Sequence, residues 1–353
     1  MKKADPVVVP ESVLNGAKIL KKVLEPVPPF FSTTGLTCSC FRNINFYSVE
    51  STFLRCRGAK MKEFHTRTGI FFCFCLLFLF SACVSSKKLT VGTTAILLEG
   101  VAKASAKQSD LRILREGTPA YLMLIDGMIQ TWPDNKRLLI AGAQSYSSFA
   151  SLFVEDQDKE YANLLYEKAK QYALRSLERT GFQDPVQRPF DNFNLGLKRL
   201  KKKDVPILFW TATCWANCIR LNLESMEAIS ELPRVEAMMK RVLELDEGFY
   251  YGGAHLFMGI WYASRPKIAG GDLKKAQAHF LRALDLGQRK FLMADVYYAS
   301  YYARKSEDKE LFIATLQKVL EMPAATRPDL VLANTVAKKQ AKELLSHVEE
   351  YFE

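Results

Sequence analysis

An all-α chain, organised as an array of helical hairpins, is the fold predicted for these 353 residues. Three observations predict it. From Thr90 onward, apolar residues recur at i, i+3, i+4 and i+7, and few windows alternate with period two. The pattern is punctuated so that helices of about 13–17 residues follow one another through short turns, which suits a hairpin array better than a bundle. Two neighbouring segments also carry small and aromatic residues at the spacing of a helical repeat.

The elements follow in chain order. Leu111 to Met128 carries Leu111, Leu114, Tyr121, Leu122, Leu124, Ile125 and Met128 on one face, and Pro119 marks a break with Thr118 as its cap. Trp132-Pro133-Asp134-Asn135 is a turn. Lys136 to Val154 is the next helix, and Lys159 to Thr180 follows, closed by Gly181. Gly181–Lys203, with Pro185 and Pro189, reads as a loop plus a short helix. Pro206 to Leu223 is strongly apolar. Then come Pro233–Leu245, Phe249–Ser264, Asp272–Leu286, Lys290–Arg304, Asp308–Glu321 and Pro328–Phe352.

Composition bounds the function. The chain is 48% hydrophobic and 25% charged, which suits a globular protein with one or two cores. Net charge is +11, of which +6 falls in Met1–Ala82 and +5 in the remainder. Charge so spread does not point to nucleic acid. The longest basic run, Lys198-Arg199-Leu200-Lys201-Lys202-Lys203, is expected to be a solvated helix end, where cations suit the macrodipole. After Cys83 only Cys214 and Cys218 remain, four apart on one helix face. A disulfide there would be strained, so both are expected as small buried hydrophobes. No His or further Cys lies near them at zinc spacing, and neither a metal nor a cofactor is expected.

The stretch Leu76 to Ser86, LLFLFSACVSS, has the build of an export signal. Ile70 to Phe80 is almost purely Phe, Leu and Cys, too short to span a bilayer but the right length for a signal core. Met61, Lys62, His65 and Arg67 precede it as a basic region. Residues 61–82 are therefore expected to be a signal peptide and Met61 the true start, with residues 1–60 an upstream extension foreign to the protein. Phe80-Ser81-Ala82-Cys83 resembles a lipoprotein processing box, with Phe where Leu is usual. In that resemblance Cys83 is the lipidated N-terminus, residues 83–89 are a tether, and residues 90–353 are the folded domain. Two or three acyl chains would anchor it to a membrane facing the periplasm.

Met258-Gly259-Ile260-Trp261-Tyr262 matches the x-G-x-x-Y part of a tetratricopeptide first helix. Ala276 to Ala283 matches the A-x3-F-x2-A part of the second. Five extra residues fall in the loop Arg265 to Gly271, so these are degenerate tetratricopeptide-like repeats.

These pieces together resemble one family. Phe249-Tyr-Tyr-Gly-Gly-Ala-His-Leu-Phe-Met-Gly259, Pro266 and Gly270-Gly271-Asp272 through Phe280 carry the likeness. Leu208 to Trp215, Tyr298 to Tyr302, and Leu332-Ala-Asn334 with Lys338 to Leu345 support it. The chain from Cys83 to Glu353 is similar to the TatT family, the T component of TRAP-transporter-associated periplasmic lipoproteins. That resemblance implies an all-α homotrimer with a cavity or channel in each protomer. It also implies a periplasmic solute-binding partner, the P component, and delivery of a small hydrophobic or carboxylate ligand to a permease.

Candidate ligand-binding residues are Trp210, Trp215, Asn217, Tyr251, His255 and Lys267. Trp210 and Trp215 stand about 140° apart around their helix, so one of them with Asn217 suits a cavity wall; core packing is the alternative. Tyr251 and His255 flank two glycines early in a helix, which weaken it unless close packing or a ligand compensates. Lys267 lies in the glycine-rich loop and could meet a carboxylate, although a long turn within the repeat also explains that loop. His279 is expected at the surface or in packing. HExxH, GxSxG and CxxC are absent, and no catalytic residue is expected. The other functions left open are a scaffold for envelope assembly and a hydrolase of envelope polymers.

Overall fold

The computed structural model describes residues 98–352. The expected upstream extension, signal peptide, lipidation at Cys83 and tether all lie outside the described residues. By its contacts the chain divides into Met1–Phe80 and Ser81–Glu353, and everything described here belongs to the second unit.

The fold is all-α, with no strand among the described residues. After helical residues 98–106 come α1 (Leu111–Thr131), α2 (Lys136–Phe149), α3 (Lys159–Glu178), α4 (Phe190–Arg199) and α5 (Val205–Leu221). Then follow α6 (Met226–Ser230), α7 (Leu232–Asp246), α8 (Phe249–Ala263) and α9 (Leu273–Leu286). The chain ends with α10 (Leu292–Tyr297), α11 (Lys309–Glu321), α12 (Val331–Ser346) and α13 (Val348–Tyr351). None of these helices is long and apolar enough to cross a membrane.

The starts follow local chemistry. The carboxylates of Asp110, Asp158, Asp272 and Asp308 accept backbone N–H groups at the head of α1, α3, α9 and α11, as the Asn135 amide oxygen does for α2. Each satisfies donors that have no partner within the helix. Helices then pack on their sequence neighbours: α2 on α3, α3 on α5, α5 on α7, α7 on α8, α8 on α9 and α11 on α12. The core is accordingly a succession of clusters along the chain, from Ile125 and Leu139 at one end to Phe312 and Leu316 at the other. That is how a hairpin array buries its apolar faces.

Four expected elements differ in detail. The helix does not break at Pro119, which sits inside α1. Pro119 is exposed, so the carbonyl it leaves free can take water, and Leu122, Ile125, Met128 and Ile129 anchor the helix beyond it. Thr118 is no cap; its hydroxyl donates to the Leu114 carbonyl at 2.6 Å. The expected helices over Lys136–Val154 and Lys290–Arg304 both widen into a π-helix, at Ala150–Val154 and Tyr298–Ala303. Finally, α8 is kinked at its start. Tyr250, Tyr251 and Gly252 have φ of 49°, 58° and 76°. Three consecutive left-handed residues are costly for tyrosine and persist only when the surroundings hold them.

Close packing explains both glycines after that kink. A Cβ on Gly252 would come 3.1 Å from the Ala283 Cα, and one on Gly253 would come 2.7 Å from the Phe209 Cζ. The helix is thus wedged between α5 and α9. The loop before α9 folds tightly, with Gly270 at φ 87° and the Asp272 N–H donating to the Tyr262 carbonyl at 3.0 Å.

Candidate functional site

A cavity of about 420 Å³ lies among α2, α5, α8, α10 and α12. One wall is a helical stripe of α8: Gly253, Leu256, Phe257 and Ile260, spaced i, i+3, i+4, i+7. The facing wall is Trp210, Thr213 and Asn217 of α5. The first π segment borders the space through Ser151 and Leu152, and Tyr297, the residue just before the second, borders it as well. A π turn re-aims the side chains around it and often marks a functional wall. Leu332, Ala333 and Val336 of α12 close the cavity, with Asp329 just before that helix.

Tyr250 is the aromatic centre of the site. Its ring meets Trp210 edge-on at 5.0 Å, Phe209 at 5.6 Å and Phe291 at 6.1 Å between centroids. It keeps 43% of its surface accessible, and it faces the cavity. Surrounding protein desolvates its phenol and raises the pKa. Burial likewise pushes Tyr297 up to about 12. Among the described residues, neither phenol has a hydrogen-bond partner. Two tyrosines that line the cavity, their hydroxyls without a partner among the described residues, suit a ligand or water as acceptor or donor.

Three other polar side chains on the wall, Asn217, Thr213 and Asp329, are engaged within the protein. The Asn217 amide donates to Ser147 Oγ at 3.1 Å, and Thr213 donates to the Phe209 carbonyl at 2.9 Å. Asp329 pairs with Arg327 at 3.0 Å and accepts the Tyr251 hydroxyl. Arg327 first, then Tyr251, holds the Asp329 carboxyl down at about 2. Among the described residues no Lys, Arg or His lines the cavity; beside its apolar side chains it presents hydroxyls, the Asn217 amide and the Asp329 carboxylate, and it offers no direct counter-charge to a carboxylate ligand. Among the described residues, no cluster of three or more His, Cys, Asp or Glu could hold a metal.

The sequence candidates divide. Trp210 and Asn217 are on the wall. Tyr251 stands one hydrogen bond behind it, through Asp329. Trp215 is wholly buried in the α5–α7 core, its indole N–H donating to Glu231, and does not reach the cavity. His255 points to the other side of α8, with Nδ1 2.9 Å from His279 Nδ1 and Nε2 3.1 Å from Glu247. Lys267 lies on the exposed loop before α9. Sequence reasoning did not single out Tyr250, Tyr297 or the Gly253–Ile260 stripe. The stripe was legible as a period of 3.6; the two tyrosines were not, because left-handed backbone and a π turn aim them.

The model of the family described as TAtT, TRAP transporter T-component, matches residues 107–352. No curated protein matches the chain.

Proposed function

This chain belongs to the TRAP transporter T-component family, and on that footing we propose that it is a lipid-anchored accessory protein facing the periplasm. In this reading it docks the solute-binding P component and helps pass a small ligand toward the permease. The observation that carries the ligand half is the 420 Å³ cavity with its apolar walls and two free phenols. Its volume falls within the range of small-molecule sites, and its chemistry selects an apolar molecule with a hydroxyl or similar group over a bare carboxylate. Trp210, Asn217, Tyr250 and Tyr297 would contact that ligand, and Tyr251 would position Asp329 at its edge.

The remaining parts rest on resemblance and on sequence: acylation of Cys83, a homotrimer, and an accessory role without catalysis. The family itself is a transporter component, which places its work at the cell envelope.

Two measurements test the reading. The native protein is immobilised, periplasmic extract is passed over it, and retained proteins and small molecules are identified by mass spectrometry. A solute-binding protein should be retained, and an apolar molecule should be released on unfolding. Retention of envelope-assembly proteins or glycan fragments alone would replace the transport reading by the scaffold or hydrolase reading. Mass spectrometry of the native chain should also find acylated Cys83 as its N-terminus; peptides from residues 1–60 would refute the assigned start.

A further inference from the structure

The basic run at the end of α4 does not serve its helix end. Cations there ordinarily answer the exposed carbonyls. Here Arg241 of α7 does so from outside, donating to the carbonyls of Leu197, Lys198 and Leu200 at 3.1, 3.1 and 2.9 Å. The nearby cations are left free of that role.

They instead surround a cleft. Two adjoining hollows of about 490 and 250 Å³ share Arg188, Gly196 and Arg199. The smaller is walled by five side-chain cations: Lys136, Arg188, Arg199, Lys201 and Lys203. Its carboxylate, Asp204, is buried and accepts the Lys201 backbone N–H at 3.0 Å. Asp184 lines the larger hollow. Neighbouring Arg179 and Lys202 pair with Asp134 and Asp246. Among the described residues, none of the five forms an ion pair.

Arg188 is also held in place. Its guanidinium lies 4.9 Å from the centre of the Phe182 ring. Gly196 makes room for it, since a Cβ there would come 2.8 Å from Arg188 Nη1 and 2.7 Å from Phe182 Cε2. A guanidinium fixed by an aromatic face and a glycine is preorganised, and less entropy is lost when it binds. Cations gathered around one hollow repel each other until an anion joins them.

We propose that this cleft binds a phosphate group, carried by an anionic lipid headgroup or by a soluble phosphate ester. Arg188 and Arg199 supply forked donors, and Lys136, Lys201 and Lys203 supply point charges. The site is separate from the apolar cavity and stands whether or not the transport reading does.

The full chain is titrated with inorganic phosphate by calorimetry. It is also mixed with phosphatidylcholine vesicles with and without phosphatidylglycerol. Both are done for the unaltered chain and for Arg188→Ala/Arg199→Ala. Saturable phosphate binding that weakens about tenfold or more in the variant assigns a soluble phosphate. Extra retention on phosphatidylglycerol, lost in the variant, assigns a headgroup; any lipid anchor contributes to both vesicle types and cancels. Arg188→Lys/Arg199→Lys keeps the charge but not the fork, and should bind more weakly than arginine and better than alanine. Should the alanine variant fail to fold, Lys136→Ala/Lys203→Ala, at exposed positions, replaces it. No phosphate binding together with no preference for phosphatidylglycerol overturns the proposal, as does equal binding by a folded alanine variant.

Discussion

The Phe280 ring of α9 lies flat against Gly259 of α8. A Cβ at Gly259 would come 2.9 Å from both Cε1 and Cζ of that ring. This contact joins the x-G-x-x-Y segment to the A-x3-F segment and locks α8 and α9, a closely packed pair among the described helices. Gly259→Ala should force Phe280 out of its place. Overpacking of this kind costs about 1–3 kcal/mol. Thermal unfolding followed by circular dichroism should show a lowered midpoint, and an unchanged one would mean that the ring has room to retreat.

The two tryptophans of α5 should behave differently. Trp210 lines the cavity, whereas Trp215 is fully buried in the core. Trp215→Ala should destabilise the fold by about 3–5 kcal/mol through the void it leaves. Trp210→Ala should leave the chain folded but weaken an apolar ligand by about tenfold or more. Denaturant unfolding and a ligand titration on both variants check the contrast. Equal effects on stability would remove Trp210 from the site.

The histidine pair makes stability depend on pH. Burial first, then the neighbouring His255 charge, lowers His279 to about 4, and burial also lowers His255. Glu247 faces His255 and is paired with Arg282, while Tyr262 stacks on His279 and Lys275 stands over the Tyr262 ring. A histidine held neutral in the fold contributes stability that is present above its unfolded pKa, about 6.5. That contribution falls away as pH drops toward 4, because the unfolded chain binds the proton more readily. A shift of that size corresponds to about 3 kcal/mol unscreened, and solvent at this half-buried ring reduces the expected loss to roughly 1–2 kcal/mol. His279→Gln should flatten the curve of unfolding midpoint against pH between 6.5 and 4.

Asn334 is fully buried and ties three segments together. Its amide donates to the carbonyls of Lys290 and Ala324 at 2.9 and 3.1 Å, and its oxygen accepts the Leu292 N–H at 3.0 Å. Asn334→Ala leaves the Leu292 N–H and the Ala324 carbonyl without that partner, while the Lys290 carbonyl keeps the Thr326 hydroxyl, and it should cost about 2–4 kcal/mol. Urea unfolding measures it. A loss below about 0.5 kcal/mol would show that water replaces the side chain.

Cys214 and Cys218 are buried and free. Burial pushes the Cys214 thiol up to about 12 and raises Cys218 as well. Neither offers a thiolate near neutral pH. Both should resist a thiol reagent in the native chain and react after unfolding. Rapid labelling without unfolding would contradict their place between α2, α3 and α5.

The helices were legible because each rests on local rules. Asp272 and Asp308 cap helices whose apolar periods begin just after them, and the small and aromatic residues of the repeat met as Gly259 and Phe280. Pro119 misled because a proline's effect depends on which side of the helix faces water, and one position cannot reveal that.

The amino-acid order alone was enough for the all-α class, the element succession, the degenerate repeat and the family likeness, since periodicity and capping act within a few residues. The cavity needed the packed chain. Trp210 and Trp215 are alike in sequence, and only the neighbours of α5 send one to the cavity and the other into the core. Tyr250 reaches the site through a left-handed backbone that α5 and α9 impose. His255 is drawn away from the cavity by His279 and Glu247, and Arg199, Lys201 and Lys203 at the end of α4 join Lys136 and Arg188 around a cleft while Arg241, about forty residues on, holds the carbonyls of that helix end. Such contacts join distant parts of the chain, so no local pattern can encode them.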